Sequence, residues 1–415
     1  MAGQLADRTP PTEGIRPPGV LLVEPLGDGG IAHYTYNLVT ALLDAGARVE
    51  LFTARRYEFS AKPWPRGVLH RGLFRLAFAL IALVPALDRE SGGATRLRRL
   101  LKLIEYPFNA LEAVLLARLK GLRILHLQTV NYVDLLVVMA ARLTGLRTVI
   151  TVHNVNPLHG QLRDHHRRLL SFMYGLAHRL IIHTEAGKEE VVALFGVDAA
   201  RVTVIPHGDY SFFLRESAAE PSGARQRLGL PAEARIILFF GAVRPNKGLD
   251  LLLEAMPTVL ATEPRALLCI VGEPLGDYGP YAELIARHDL RGAVHEVLRY
   301  VENDEVADHF HAADLAVLPY REITQSGVLQ VAMASGKPVV ASDLPGFRDV
   351  ISHGETGWLV PVADPAALAD RCAAVLGDDE TARRVGLAGQ RFVLAEYAWS
   401  AIAERTCREV YRQLA

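Results

Sequence analysis

Four polar side chains in the second half of the chain are of types that could grip a phosphorylated sugar. Arg244 and Lys247 lie in "GAVRPNKGLD", just beyond the strand-like run "RIILFF". A guanidinium offers a planar fork of donors and an ammonium a compact charge, a pairing suited to a diphosphate. Glu322 and Gln330 lie in "REITQSGVLQ", which follows the apolar run "DLAVLPY" and opens the helix-like "GVLQVAMASG". Ser326 is a natural N-cap for that helix. The N–H groups of Gly327 and Val328 then lack intrahelical acceptors and can receive a phosphate or sugar oxygen. Gln330 sits one turn in, and Glu322, in the loop before it, can accept from vicinal sugar hydroxyls. Gly241 ends the earlier strand without a side chain. Taken singly, these loops also suit a solvated basic turn and an ordinary capped helix.

The first half offers "EPLGDGGIAHYTYNL" (24–38), where a strand ends at Glu24 and glycines 27, 29 and 30 make a bend before a helix. Gly29 and Gly30 let a ligand approach the backbone at a helix N-terminus. A dinucleotide fingerprint fits poorly, because the glycine spacing is imperfect and the next strand run ends "LFTARR" without an acid for the ribose. A tight turn with no ligand is the competing interpretation. His153, in "TVHNVNP", closes another strand run, as either a site residue or a structural strand-end histidine. Asp164-His165-His166 could suggest a metal, but consecutive helical residues are expected to point apart.

These residues need elements to hold them. Strand runs are "GVLLVE", "RVELFT", "RILHLQ", "RTVITVH", "RLIIHT" and "RVTVIPHG", then "RIILFFGA", "ALLCIVG", "HEVLRY", "LAVLPY", "KPVVAS" and "WLVPV". Helical patterns alternate with them, which predicts parallel α/β units. A polar, proline-bearing stretch after Gly208 separates two similar halves, predicting two Rossmann-like domains facing across a cleft. Ligands of open α/β sheets lie beyond the C-terminal strand ends, where the motifs fall. The expected divisions are a loose tail at 1–18, domains at 19–208 and 209–394, and a final helix at 395–415. With 415 residues, half of them hydrophobic, and a formal net charge of -1, the chain has burial enough for two cores and no nucleic-acid signature. Cys269, Cys372 and Cys407 lack metal-like spacing and are expected to be buried thiols. The tail carries no apolar block, and the longest apolar run, 73–87, is too short to span a bilayer and contains Arg75 and Pro85. The expected location is cytoplasmic.

Arg244, Lys247, Glu322 and "SGVLQVAMASGKPVVASDLPG", with "VIPHG", "ADLAVLPY" and "GETGWLVPVADPAALAD", resemble the family-4 (group 1) retaining glycosyltransferases of GT-B fold. The resemblance covers nearly the whole chain. It implies a nucleotide-sugar donor, sugar transfer with retention, no catalytic metal and no cofactor beyond the donor. It also implies that Arg244 and Lys247 neutralise the leaving diphosphate, and that Glu322 is the first glutamate of the family's paired motif, near the donor sugar. His153 would lie by the transferred sugar, and the glycine loop would close on the donor. Gln330 falls where the family's second glutamate holds the ribose. An amide can accept from one hydroxyl and donate to another, so the change retunes affinity by about 1 kcal/mol rather than abolishing it. The family also implies that the last helix returns to the first domain. The competing class is a non-catalytic nucleotide-sugar-binding or scaffold partner. Retention of Arg244, Lys247 and Glu322 together argues against that. A GT-B nucleotide-sugar epimerase or a hydrolase is the weaker enzymatic rival.

Residues 66–123 carry eleven Lys/Arg against four acids. In "RLRRLLKLIEY" the spacing places Leu97, Leu100, Leu101 and Ile104 on one helical face, and Arg98, Arg99 and Lys102 on the other. A basic amphipathic helix of this kind suits an anionic membrane surface. The expected acceptor is then a glycan or a polyprenyl-diphosphate-linked sugar. The alternative is an internal apolar helix with solvated charges.

Overall fold

The computed structural model describes residues 18–83, 92–129, 134–155, 164–216, 221–323 and 326–414. The chain divides into two compact units, one of Met1–Gly208 with Trp399–Ala415, the other of Asp209–Ala398.

The first unit is built on seven parallel strands: β1 (Val20–Glu24), β2 (Val49–Ala54), β3 (Leu69–Leu73), β4 (Ile124–Leu127), β5 (Arg147–Thr151), β6 (Arg179–Ile182) and β7 (Val202–Val204). Their order in the sheet is β3-β2-β1-β4-β5-β6-β7. Alternation along β1 explains why its whole length is apolar. Val20 and Leu22 pack with Tyr34, Leu38 and Leu42 of the Gly29–Asp44 helix. Leu21 and Val23 face the opposite layer, with Ala113 and Ala117 of the Gly92–Leu119 helix. Both faces of a parallel sheet are covered, so no polar face is needed. The segment from Trp399 completes the first of these layers through Ile402, Cys407, Val410 and Tyr411.

The second unit has six parallel strands: β8 (Arg235–Phe240), β9 (Ala266–Val271), β10 (Val294–Val297), β11 (Leu315–Leu318), β12 (Val339–Ser342) and β13 (Trp358–Val360). Their order is β10-β9-β8-β11-β12-β13. Ile237 and Phe239 enter one core, Ile236 and Leu238 the other.

All twelve strand runs of the sequence form strands, and the fold adds β3, "LHRGL", which carries no apolar run. It is an edge strand, and its Gly72 is placed by contact: a Cβ there would lie 2.3 Å from the Phe52 ring. Gly29 and Gly30 do not precede the first helix but form its first two residues. The chain returns to the first unit at Trp399 rather than at 395, because the helix before it runs on to Glu396. The C-terminal segment is also not one helix. It is an α-helix over Trp399–Arg405, a π-helical turn over Thr406–Tyr411 and a short 3-10 turn.

The basic segment departs from expectation too. Lys102 lies over the rings of Phe74 and Phe78, 5.2 and 4.7 Å from their centroids, rather than on a free charged face. Leu101 packs against the core, while Leu97, Leu100, Ile104, Phe108, Leu111 and Leu115 point outward. Arg89 and the side chains of Arg98 and Arg99 fall outside the described residues, as do 84–87 of the apolar run. The rest of that run forms the Arg75–Leu83 helix. Among the described residues, no helix is long and apolar enough to cross a membrane.

Candidate functional site

In the second unit two loops at the C-terminal ends of neighbouring strands come together. The loop after β8 runs through Gly241 and Arg244, makes a 3-10 turn over Pro245–Lys247, and enters the Leu249–Thr262 helix at Gly248. Gly248 has φ +67°, and a Cβ there would stand 2.0 Å from the Pro319 carbonyl oxygen, so only glycine fits. The loop after β11 carries Tyr320, Arg321 and Glu322.

Arg321 joins the two loops. Its backbone N–H donates to the Asn246 carbonyl at 2.9 Å. Its guanidinium makes a two-pronged pair with Asp250 at 2.8 and 2.6 Å and also donates to the Pro245 carbonyl at 2.9 Å. Asp250 is in the first turn of the following helix, where a carboxylate also suits the helix dipole. Lys247 reaches back over the Tyr320 ring, its Nζ 3.8 Å from the centroid. Burial, with Arg244 adding to it, lowers the Lys247 ammonium to about 8. Arg244 is exposed, and among the described residues no carboxylate pairs with it or with Lys247. Two cations thus stand uncompensated on a braced turn. Glu322 is exposed in the loop after β11.

The Gly327–Ala334 helix begins at Ser326, whose Oγ accepts from the Leu329 N–H at 3.3 Å, the cap expected from sequence. Gln330 is only 6% exposed, yet among the described residues its Oε1 has no hydrogen-bond partner. A buried carbonyl oxygen without a donor costs about 1–3 kcal/mol, so this atom is set to receive one. Gly241, Gly327 and Val328 line a pocket of about 470 Å³ that also takes in Tyr210, Phe240 and Tyr300. The segment 298–304 contributes Val301 and Asn303 as well as Tyr300. Gly272 has φ +146°, and a Cβ there would lie 2.1 Å from the Gly241 carbonyl oxygen, so backbone meets backbone at the pocket floor.

In the first unit the strand ends gather histidines. His153 follows β5, His183 follows β6 and His207 follows β7, and Tyr34 packs edge-on to His153 with ring centroids 4.8 Å apart. His183 lies 3.1 Å from His153, Nε2 to Nδ1, and its own Nδ1 faces the Ile205 carbonyl at 2.9 Å. Burial holds all of them neutral: His183 is pushed down to about 3, His207 to about 4, and His153 well below its ordinary value. His126, inside β4, is likewise lowered to about 3, between the Tyr411 hydroxyl and Thr151 Oγ1, each at 2.7 Å. Sequence reasoning isolates His153 and misses His183 and His207. The available signal was the recurrence of a histidine just past three successive strands.

Gly29 and Gly30 stand open, with nothing among the described residues within 4 Å of an added Cβ. The bend before them is set by Glu24, a buried carboxylate that sequence reasoning left as a strand end. It accepts from the Leu26 N–H at 2.7 Å, the Gly27 N–H at 3.0 Å and Thr53 Oγ1 at 3.1 Å. The rings of His165 and His166 do not point apart but lie 4.0 Å from each other. Among the described residues no group of three or more His, Cys, Asp or Glu could hold a metal ion. The three cysteines are free and buried.

Two family models match the chain: a glycosyl transferase 4-like domain over residues 29–208, and glycosyl transferases group 1 over residues 234–378. The chain is 33% identical over 245 residues to a D-inositol 3-phosphate glycosyltransferase of Thermobispora bispora, covering 57% of this chain and 56% of the relative. It is 34% identical over 255 residues to that of Kineococcus radiotolerans, covering 57% of each. The chain therefore spans little more than half the length of the curated relatives it matches. Over 95% of its length it is similar in structure to Anabaena HepE crystallised with UDP and glucose, covering 99% of that chain at a TM-score of 0.69 and 18% identity. Sucrose-phosphate synthase from Thermosynechococcus elongatus aligns over 96% of this chain and 99% of its own, with a TM-score of 0.68 and 24% identity. Two parallel-sheet units of GT-B type, each matched by its own family model, carry the conclusion: the chain belongs to the group 1 glycosyltransferases.

Proposed function

We propose that this protein transfers a hexose from a nucleotide-diphosphate sugar to a lipid-linked or oligosaccharide acceptor, with retention at the anomeric carbon, in the assembly of a surface polysaccharide. The observation that carries it is the braced turn with two uncompensated cations, Arg244 and Lys247, beside a helix N-terminus and the unpartnered Gln330 Oε1. As the bond from C1 to the diphosphate breaks, its electron pair passes to the phosphate oxygen. Arg244, Lys247 and the N–H groups of Gly327 and Val328 are suited to stabilise that charge. The acceptor oxygen bonds to C1 from the face the diphosphate leaves, and its proton passes to the departing phosphate. Gln330 accepts from a ribose hydroxyl, Glu322 and His153 from sugar hydroxyls, and Gly241, Gly29 and Gly30 leave backbone open to the donor. HepE was crystallised with UDP and with UDP-glucose, which supports a nucleotide sugar as the donor class.

The lipid-linked acceptor rests on the Gly92–Leu119 and Arg75–Leu83 helices. Leu76 is 75% exposed, Leu83 78% and Phe108 70%, in a segment with a surplus of seven positive charges. Such a surface would repel a second copy of itself and attract an anionic bilayer. The D-inositol 3-phosphate glycosyltransferases among the relatives favour a second reading, a small phosphorylated cyclitol as acceptor.

Mass spectrometry of products from a mixed donor pool, supplied with either a lipid extract or inositol 3-phosphate, separates the two acceptors. Titration with UDP and GDP tests the donor site. Equal nucleotide affinity in the wild type and an Arg244→Ala/Lys247→Ala variant would sink the proposal.

A further inference from the structure

The histidines of the first unit form a chain with a defined direction. The Ile205 carbonyl can only accept, so His183 Nδ1, 2.9 Å away, carries its ring's hydrogen. A neutral imidazole has one N–H, which leaves His183 Nε2 as a bare lone pair. His153 Nδ1 lies 3.1 Å from that lone pair and must donate to it. The remaining nitrogen, His153 Nε2, is then also bare. It is buried, and among the described residues it has no hydrogen-bond partner. Reversing the chain would require a second proton on His183. Burial opposes that proton, and so does the neighbouring His207, 5.2 Å from His183 ring to ring.

We infer that His183 is a positioning residue that fixes His153 as a hydrogen-bond acceptor, so that the group bound there is a sugar hydroxyl and neutral hexoses are taken in preference to uronates. The sugar itself rests on the function proposed above. A hydroxyl donates into the bare lone pair. A carboxylate meets lone pair with lone pair, and is accommodated only if His153 first takes up a proton in a buried site. The hydroxyl can belong to the transferred sugar or to the acceptor, and the chemistry at His153 is the same.

The test is nitrogen NMR of the full chain labelled with 15N-histidine. His153 and His183 are expected as Nδ1–H tautomers in the free protein. UDP-glucose should shift the His153 Nε2 resonance, UDP and UDP-glucuronate should not, if the transferred sugar is the source. A shift with UDP plus myo-inositol identifies the acceptor instead. An Nε2–H tautomer at His153, indifference to UDP-glucose and to UDP plus myo-inositol alike, or an equal response to glucuronate would overturn the inference. His183→Gln, whose amide oxygen can accept in place of Nε2, should preserve the His153 tautomer, and His183→Phe should lose it. An unchanged tautomer in a folded Phe variant would remove His183 from its role. Should that variant fail to fold, the wild-type tautomers and the Gln variant decide the matter alone. A protein with the expected tautomers that binds no UDP would keep the relay and lose the proposed donor.

Discussion

The two ends of this chain's chemistry are built in opposite ways. In the first unit His126 and His183 are buried, His153 and His207 are half-buried, and all four are neutral and held by directed hydrogen bonds. In the second, Arg244 and Lys247 supply cationic side chains, and the order lies in the turn beneath them, through Arg321, Asp250 and Gly248. In the function proposed above, the neutral site would select by the direction of its donors and acceptors. The charged site would supply field strength, on a geometry secured by Arg321, Asp250 and Gly248. The difference makes the two regions separable by pH and by substitution.

The largest separation should come with acid. Each histidine's folded value lies below that of the unfolded chain, so unfolding takes up protons once the pH falls under about 6.5. Stability is complete above that point and declines below it. His126, His183 and His207 should together remove about 4 kcal/mol at pH 5.5, with His153 acting in the same direction. Among the described residues of the second unit, His309 is held down to about 4 and His311 is lowered as well, two histidines against the larger group in the first unit. Urea unfolding followed by hydrogen exchange should show the first unit opening first at pH 5.5, and the reverse order would break the comparison. Next in size, Arg244→Ala/Lys247→Ala should cut turnover by roughly a hundredfold or more while leaving the melting temperature nearly unchanged. Equal loss of folding and activity would mean the pair is structural.

Lys247 sharpens the contrast at the other end of the pH scale. With its ammonium lowered to about 8, UDP affinity should fall above that pH, approaching tenfold per unit, and Lys247→Arg should flatten the profile. A wild-type profile flat to pH 9.5 would show that the ammonium is not used. The smallest change is expected from Gln330→Glu, which should alter UDP affinity by about 1 kcal/mol, several-fold, with little effect on turnover at saturating donor. Isothermal titration reads it directly, and identical affinities would place Gln330 away from the ribose.

Much of the second unit was legible in the sequence because its signals are local. The glycines, the Arg–Lys pair and the capped helix each lie within ten residues of a strand end. Arg321 escaped notice because its partner, Asp250, lies in the first turn of the helix that follows the other loop. The histidine chain was harder still: His153, His183 and His207 meet only because β5, β6 and β7 are neighbours in one sheet, and Tyr34 and Trp399 join them from remote parts of the chain. β3 was missed for a related reason. Its half-exposed "LHRGL" is held by β2 and by the Phe52 ring over Gly72, contacts that hydropathy does not encode. Lys102 was misassigned because periodicity assigns a face and cannot foresee two phenyl rings beneath an ammonium.

The ties from Arg321 to residues 245, 246 and 250 have a practical corollary. Anyone transplanting the Arg244–Lys247 turn from a homologue to change donor preference would be exchanging half of a clasp. Codons 250 and 321 must travel with it, and whatever occupies 248 must remain free of a side chain.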